Sequence, residues 1–224
     1  MSPIRAVFFD LDGTLWDSEV VRFRSWVRVF EEHGARYTLE SYATRLGTVG
    51  GVDPLDELEA AVGGPIDRAA VRRGRDERTT ADLDRLSPRP GVTELIEQAR
   101  RRGLATGVVS TDERAYVLSS LEHLGLGEGW DVVATADGDP TRAKPSPALY
   151  LEALAALSID AGEAVAIEDS PNGILAATRA RIFCVAVSNE VSATMDLSRS
   201  DLLVGSALDV SLDEVIRLAE RRGG

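Results

Sequence analysis

The sequence of 224 residues lacks the features that are typical of several classes of protein. Its one cysteine, Cys184, cannot form a disulfide within the chain, so we expect a reducing compartment, the cytoplasm. Charged residues interrupt every apolar stretch well short of a membrane span, and Asp10 and Asp12 come too early for a signal peptide. The sequence therefore predicts a cytoplasmic protein without a membrane partner.

Positive charge is also scarce. Acidic residues outnumber basic residues by 37 to 25, which gives a net charge of −12. The chain shows no basic stripe of the kind that binds nucleic acid, and an anionic ligand would need a local cation because the overall field repels it. Lysine is the rarest basic residue, since Lys144 is the only one among those 25. A site that prefers a compact point charge to a planar guanidinium would explain this single exception.

The most informative stretch is the apolar run at 6–9, which is followed at once by two carboxylates and a glycine. A short apolar run bounded by turn residues predicts a strand buried on both faces of a parallel sheet. On an extended backbone Asp10 and Asp12 project to the same side, and a divalent cation such as Mg²⁺ would relieve their repulsion. Gly13 allows a sharp turn, and Thr14 can donate a hydroxyl to an anion. The alternative is a plain strand-terminating turn.

The pattern of apolar residues divides the chain into two regions. Residues 16–89 show only helical patterns, and the proline-rich joint at 87–91 ends them. Beyond the joint, helices and strands alternate, which predicts an α/β fold with a doubly wound parallel sheet. We therefore expect a catalytic core formed by 1–15 and 90–224, with residues 16–89 inserted as an all-helical cap. Strands are predicted at 6–9, 104–109, 131–135, 164–167, 182–187 and 202–204.

Two further polar pairs follow predicted strands. Ser110 and Thr111 follow the second strand, and Glu168 and Asp169 follow the fourth. Parallel sheets bind ligands outside the carboxyl ends of their strands, so these pairs and the two N-terminal aspartates are expected to converge. Each pair could instead cap the helix that follows it, and Lys144 could be an ordinary surface lysine.

In chain order, these clusters resemble the four motifs of the haloacid dehalogenase superfamily, most of whose members are phosphatases and phosphomutases. The strings at 13–19, 144–147 and 168–173 are similar to those of the β-phosphoglucomutase-like and phosphoglycolate phosphatase-like branch, whose helical cap lies between the first and second motifs. The matching residues are Asp10 and Asp12, then Ser110 with Thr111, then Lys144, then Glu168 with Asp169.

The resemblance implies a role for each matching residue. Asp10 would be the nucleophile that takes up the phosphoryl group, and Asp12 the acid that protonates the leaving oxygen and then the base that activates water. Ser110 and Lys144 would neutralise charge on the transferring phosphoryl group. Mg²⁺ would be the cofactor. Its expected ligands are the Asp10 carboxylate, the Asp12 backbone carbonyl and Asp169, with Glu168 close behind.

The resemblance also reduces the number of reactions that the protein is expected to catalyse. β-Phosphoglucomutases carry a cap-loop arginine where this chain has Gly51, phosphonatases use a cap lysine, and dehalogenases lack the second aspartate. Hydrolysis of a small phosphorylated metabolite is therefore the leading interpretation, carried out by a monomer. A phosphomutase and a phosphate-binding pseudoenzyme remain the alternatives. The residues expected to bind the substrate are Gly13, Thr14, Trp16, Thr48, Val49, Gly50, Gly51 and Thr111.

One departure from the family pattern concerns the backbone. The family usually has glycine after the helix of the fourth motif, but this chain has Arg181. If that position requires a left-handed backbone, arginine there costs about 1 kcal/mol.

Overall fold

A computed structural model describes residues 3–43 and 52–222. Within them, a six-stranded sheet forms the centre of the molecule, and every pair of neighbouring strands is parallel. The strand order is β3-β2-β1-β4-β5-β6. The strands are β1 (Ala6–Phe9), β2 (Ala105–Ser110), β3 (Val132–Thr135), β4 (Ala164–Glu168), β5 (Phe183–Val187) and β6 (Leu202–Val204). This is the doubly wound α/β fold that the alternation of elements predicts.

Nine α-helices connect or flank the strands in the described part of the chain. Their exact ends depend on capping residues, which a sequence pattern does not separate from the first turn of a helix. The helices are α1 (Ser18–Glu32), α2 (Leu39–Ala43), α3 (Pro54–Val62), α4 (Arg68–Leu83), α5 (Val92–Arg101), α6 (Arg114–His123), α7 (Ala148–Leu157), α8 (Pro171–Arg179) and α9 (Leu212–Arg222). None of them is long and apolar enough to cross a bilayer.

Helices cover both faces of the sheet, which explains why β1 is apolar throughout. Val7 and Phe9 pack into the cluster formed with α5, α6 and α9, whereas Ala6 and Phe8 pack into the cluster formed with α7 and α8. Side chains alternate between the two faces of a strand, so a strand covered on both sides needs apolar residues at every position. All four residues of β1 are buried, as the sequence predicts.

The helices α1 to α3 share a third hydrophobic cluster, which Val191 of the segment after β5 also joins. It is built around Phe23, Trp26 and Phe30, and Tyr37 stacks 4.6 Å from the ring of Phe30. α4 packs along α1. No strand interrupts the described residues between Trp16 and the joint at 87–91. The division into a core and a cap at 16–89 stays a proposal, supported by this third cluster, most of whose members lie within 16–89.

The strand order places two loops next to each other. The chain winds outward in one direction from β1 through β2 to β3, and in the other from β4 through β5 to β6. The loops after β1 and β4 therefore diverge, and they leave a crevice at the carboxyl ends of these two strands. β1 is followed by Asp10, and β4 ends in Glu168 with Asp169 next.

Arg181 has a left-handed backbone, with φ of 64°. Two hydrogen bonds close the end of α8, from the Arg181 amide to the Thr178 carbonyl (3.0 Å) and from the Ile182 amide to the Ala177 carbonyl (3.0 Å). This is the pattern of a Schellman motif, in which glycine is the favoured residue at the left-handed position. Arg181 is exposed, so no burial compensates for the backbone strain.

We expect Arg181→Gly to stabilise the protein by up to about 1 kcal/mol, because glycine adopts the left-handed conformation without a Cβ clash. Urea unfolding followed by circular dichroism measures the change. The matched control is Arg217→Gly in the middle of α9, also exposed, which should destabilise by about 1 kcal/mol. Loss of stability in Arg181→Gly would show that the left-handed backbone carries no strain.

Candidate active site

Lys144 is the buried cation at the carboxyl edge of the sheet. Only 4% of its surface is exposed, so it is not an ordinary surface lysine. Its Nζ donates to Oδ1 of Asp10 and lies 2.7 Å from Oε1 of Glu168. Burial alone would lower the pKa of Lys144, but attraction to these two carboxylates outweighs burial and raises it. The ammonium therefore stays charged over the whole physiological range.

Three buried carboxylates surround this single ammonium. One oxygen from each of Asp10, Glu168 and Asp169 lies within 4.8 Å of the others. Burial, and then repulsion between these groups, raises the pKa of Asp169 well above its usual value. The pKa of Asp10 is also raised, mainly by burial and although Lys144 opposes the shift. Three carboxylates against one ammonium leave an excess of negative charge that a divalent cation would neutralise.

Glu168 shows how closely the chain packs around this cluster. Its Oε1 accepts a hydrogen bond from the Tyr150 hydroxyl (2.6 Å), whereas its Oε2 is buried and has no partner among the described residues. Gly173 makes room for the carboxylate, because a Cβ there would lie 1.8 Å from Oε2. A buried carboxylate oxygen without a donor is the ligand type that Mg²⁺ prefers. Asp10, Glu168 and Asp169 therefore fit the expected metal.

Asp169 is held by a residue that sequence reasoning missed. Nδ2 of Asn189 donates to Oδ2 of Asp169 (2.7 Å) and to the carbonyl of Gly13 (3.2 Å). Gly13 has φ of 87°, and a Cβ at this position would lie 2.2 Å from Oδ2 of Asp169. Glycine is required here for its backbone conformation and for the close approach of the carboxylate.

Arg89, also missed, fastens the loop after β1 to the end of β5. Its Nη1 donates to the carbonyls of Gly13 and Val187, its Nη2 to Ser188, and its Nε pairs with Asp17 at 3.0 Å. The side chain is only 9% exposed. The position of Arg89 between two prolines in the joint at 87–91 is the feature of the sequence that could have drawn attention to it. That position does not show which groups the side chain binds.

Asp12 lies outside the group of three carboxylates. Its Oδ1 accepts hydrogen bonds from the Ser18 hydroxyl and from the Tyr116 hydroxyl (2.9 Å), and Arg22 lies 3.7 Å away. β1 ends at Phe9, so the chain is already turning at Asp10 and strand alternation does not govern the two aspartates. The sequence predicts that one cation relieves the repulsion between the carboxylates of Asp10 and Asp12. In the structure the Asp12 carboxylate has these other partners and does not face the other three carboxylates as a group.

Ser110 and Thr111 contact other parts of the crevice. The Ser110 hydroxyl donates to Oδ2 of Asp112 (3.0 Å), and the Thr111 hydroxyl accepts from the Lys144 amide (3.3 Å). Neither residue is the N-cap of α6, which is Glu113, and the N-cap of α8 is Ser170. The simple capping alternatives for the two polar pairs are therefore wrong.

Burial, and then repulsion from Asp12, raises the pKa of Asp112 to about 7.

Of the residues expected to bind substrate, Gly13 and Thr111 are described above, and the other six fall into three groups. Thr14 is fully buried, and its hydroxyl has no partner among the described residues. Trp16 is 3% exposed and packs 6.1 Å from the His123 ring, beside a cavity of about 320 Å³ between α4 and α6. The remaining cap-loop residues lie outside the described part of the chain. They are Thr48, Val49, Gly50 and Gly51.

Comparison with known proteins agrees with this arrangement. A family model described as haloacid dehalogenase-like hydrolase matches residues 4–181, which include the four polar clusters. The chain belongs to this family. YhcW of Bacillus subtilis is 34% identical over 93% of this chain and 94% of its own length. Validoxylamine A 7'-phosphate phosphatase of Streptomyces hygroscopicus subsp. limoneus is 33% identical over 92% of this chain and 95% of its own.

Solved structures show the same fold. CbbY from Rhodobacter sphaeroides in complex with phosphate has 30% identity and a TM-score of 0.72, over 95% of this chain and 99% of that one. A mutant of CbbY was solved in complex with xylulose-(1,5)bisphosphate, with 29% identity, a TM-score of 0.71 and the same coverage. Membership of this hydrolase family, together with relatives named as phosphatases, confirms the prediction that the protein is a phosphatase.

We expect Gly173→Ala to weaken Mg²⁺ binding by about tenfold or more, because the new Cβ displaces the Glu168 carboxylate. Calorimetric titration of the metal-free protein with MgCl₂ measures the affinity. The control is Gly74→Ala in α4, where a Cβ meets nothing within 4 Å. It should stabilise the helix by up to about 1 kcal/mol and leave the affinity unchanged. An unchanged affinity in Gly173→Ala would remove Glu168 from the metal site.

Proposed function

We propose that this protein is a Mg²⁺-dependent phosphatase that hydrolyses a small phosphate monoester, a sugar phosphate or a similar compound, through an aspartyl-phosphate on Asp10. The observation that carries the proposal is the buried cluster of Asp10, Glu168 and Asp169 around Lys144, in the crevice between β1 and β4. A carboxylate nucleophile beside a fixed ammonium and a place for a divalent cation is what phosphoryl transfer requires.

Each residue has a distinct task in this proposal. Asp10 attacks phosphorus, and Lys144 supplies positive charge to the phosphoryl oxygens while it also holds the nucleophile. Ser110, buried at the end of β2, offers a further hydroxyl. Asp10, Asp169 and Glu168 would hold Mg²⁺, which when bound neutralises the charge of the phosphate and of the carboxylates that face it. The Asp12 carbonyl completes the ligands that the family resemblance implies.

Asp12 carries the proton in both steps. In the first step its carboxyl group gives a proton to the oxygen that leaves phosphorus, and so the alcohol departs neutral. In the second step the resulting carboxylate takes a proton from water as the water attacks the aspartyl-phosphate. Asp10 is then released, and Asp12 returns to its protonated form. Asp12 therefore loses one proton in the first step and gains one in the second.

The names of relatives support a phosphorylated polyhydroxy compound as substrate. One relative is named for the 7'-phosphate of validoxylamine A, another was solved with xylulose-(1,5)bisphosphate, and a third, of Thermotoga maritima, is named for phosphorylated carbohydrates. These names differ in the leaving group and share the phosphate ester. We therefore propose the class of phosphate ester, and the identity of the alcohol that leaves is a question for experiment.

We expect phosphate release from at least one member of a panel of sugar phosphates, and chelation with EDTA should abolish it. Asp169→Ala should lower kcat at least a hundredfold, because a buried ligand of the cation is lost. The control is Asp213→Ala at an exposed position of α9, which loses only an ion pair with Arg102. Full activity in EDTA would overturn the metal requirement. Isomerisation of β-glucose 1-phosphate with glucose 1,6-bisphosphate, without phosphate release, would favour the phosphomutase.

A second prediction tests the role of Asp12. Asp12→Asn should still transfer phosphate from p-nitrophenyl phosphate to Asp10, because nitrophenolate leaves without a proton, whereas sugar phosphates should fail to react. The phosphoenzyme should then accumulate, since no carboxylate deprotonates the water. Rapid mixing should show a burst of nitrophenolate of up to one equivalent, followed by slow turnover. Equal losses on aryl and alkyl esters, without a burst, would contradict the acid–base role.

A further inference from the structure

The two oxygens of Asp12 have opposite surroundings. Oδ1 accepts hydrogen bonds from Ser18 of α1 and from Tyr116 of α6, and Arg22 of α1 lies 3.7 Å away. Oδ2 is buried, but it accepts no hydrogen bond from the described residues. An oxygen whose lone pairs are engaged by donors is a poor site for proton exchange, whereas an oxygen without donors is available for it.

Arg22 determines the direction of the Tyr116 hydrogen bond. Its Nη2 donates to the Tyr116 hydroxyl oxygen (2.6 Å), and its guanidinium lies 5.4 Å from the centre of the Tyr116 ring. A guanidinium can only donate, so it occupies a lone pair of the hydroxyl and cannot take its proton. The proton of Tyr116 is therefore directed to Asp12, and the contact with the ring keeps the side chain in place.

We propose that Tyr116, oriented by Arg22, is a positioning residue that holds Oδ1 of Asp12 and so assigns the proton transfers of the reaction to Oδ2. The proposal rests on the proposed function, since it gives an atom to the acid–base role of Asp12. It joins a helix of the predicted cap, α1, to a helix of the core, α6. The carboxylate is therefore fixed in its working orientation only while these two helices are in contact.

Tyr116→Phe tests the proposal, because it removes one hydroxyl and keeps the ring beside Arg22. We expect kcat for sugar phosphates to fall about 10–100-fold, part of the 10²–10⁴-fold that a positioned proton donor contributes. Transfer from p-nitrophenyl phosphate should change less than about twofold, because this leaving group needs no proton. KM should stay the same for both, because Tyr116 acts through Asp12 and not on the substrate.

Two substitutions of Arg22 test the direction of the hydrogen bond. Arg22→Lys keeps a group that can only donate, and should retain most of the activity on sugar phosphates. Arg22→Gln introduces an acceptor that competes with Asp12 for the Tyr116 proton, and should reproduce the selective loss of Tyr116→Phe. The matched control is Arg24→Gln on the same helix, which breaks only an exposed ion pair with Glu190. It should behave as the parent protein.

The stability of the variants against urea tests the link between Arg22 and Tyr116 without metal or substrate. If Arg22 and Tyr116 act as one unit, the urea midpoint of the variant carrying Tyr116→Phe and Arg22→Gln should fall no further than that of the more damaged single variant. Additive shifts of the midpoint would show that the two residues are independent, and would overturn the proposed role of Arg22.

The remaining outcomes separate this proposal from the function on which it rests. Absence of phosphate release from every ester by the parent protein would contradict the phosphatase itself. An active parent whose Tyr116→Phe variant loses aryl and alkyl turnover equally, or loses neither, would overturn the positioning role alone. Asp10, Glu19 and Asp112 are the acidic side chains that face Asp12, and Asp112 is in side-chain contact with it. A selective loss in Asp112→Asn that is absent from Tyr116→Phe would assign the positioning to Asp112 and contradict the proposal.

Discussion

An imbalance of buried charge dominates the carboxyl edge of the sheet. Asp10, Glu168 and Asp169 face one another there, and Lys144 is the ammonium among them. Removing carboxylates from water is costly unless each finds a partner, and one ammonium does not satisfy three of them. The site therefore favours more positive charge, which the proposed divalent cation would supply, and that charge would in turn attract a phosphate.

The rest of the structure keeps these groups close. The parallel sheet brings the loops after β1 and β4 together, and the absence of side chains at Gly13 and Gly173 lets Asp169 and Glu168 approach the backbone. Asn189 orients one carboxylate, and Arg89 holds the loop to which it is joined. Positioning of this kind, and not a special residue type, is how a common fold supports a particular reaction.

The sequence predicted the order and approximate ends of the strands and their alternation with helices beyond the joint, because a sheet covered on both faces needs continuous apolar runs. It also identified Lys144 by its rarity and Glu168 with Asp169 by their place after a strand. The structure brings these residues together. Their catalytic and metal-binding roles stay predictions, as does the substrate loop at 48–51, which lies outside the described residues.

Local patterns in the sequence could not reveal the partners of the groups that we propose to be catalytic. Asn189 binds the carbonyl of Gly13 across 176 positions of sequence, Tyr116 binds Asp12 across 104, and Arg22 binds Tyr116 across 94. Apolar periodicity and turn residues are properties of neighbouring positions, so the sequence by itself determined the elements and the chemical groups at their ends. Hydrogen bonds between distant segments depend on how helices pack on the sheet. Only the tertiary structure therefore decided which oxygen of Asp12 and of Glu168 accepts hydrogen bonds and which accepts none from the described residues.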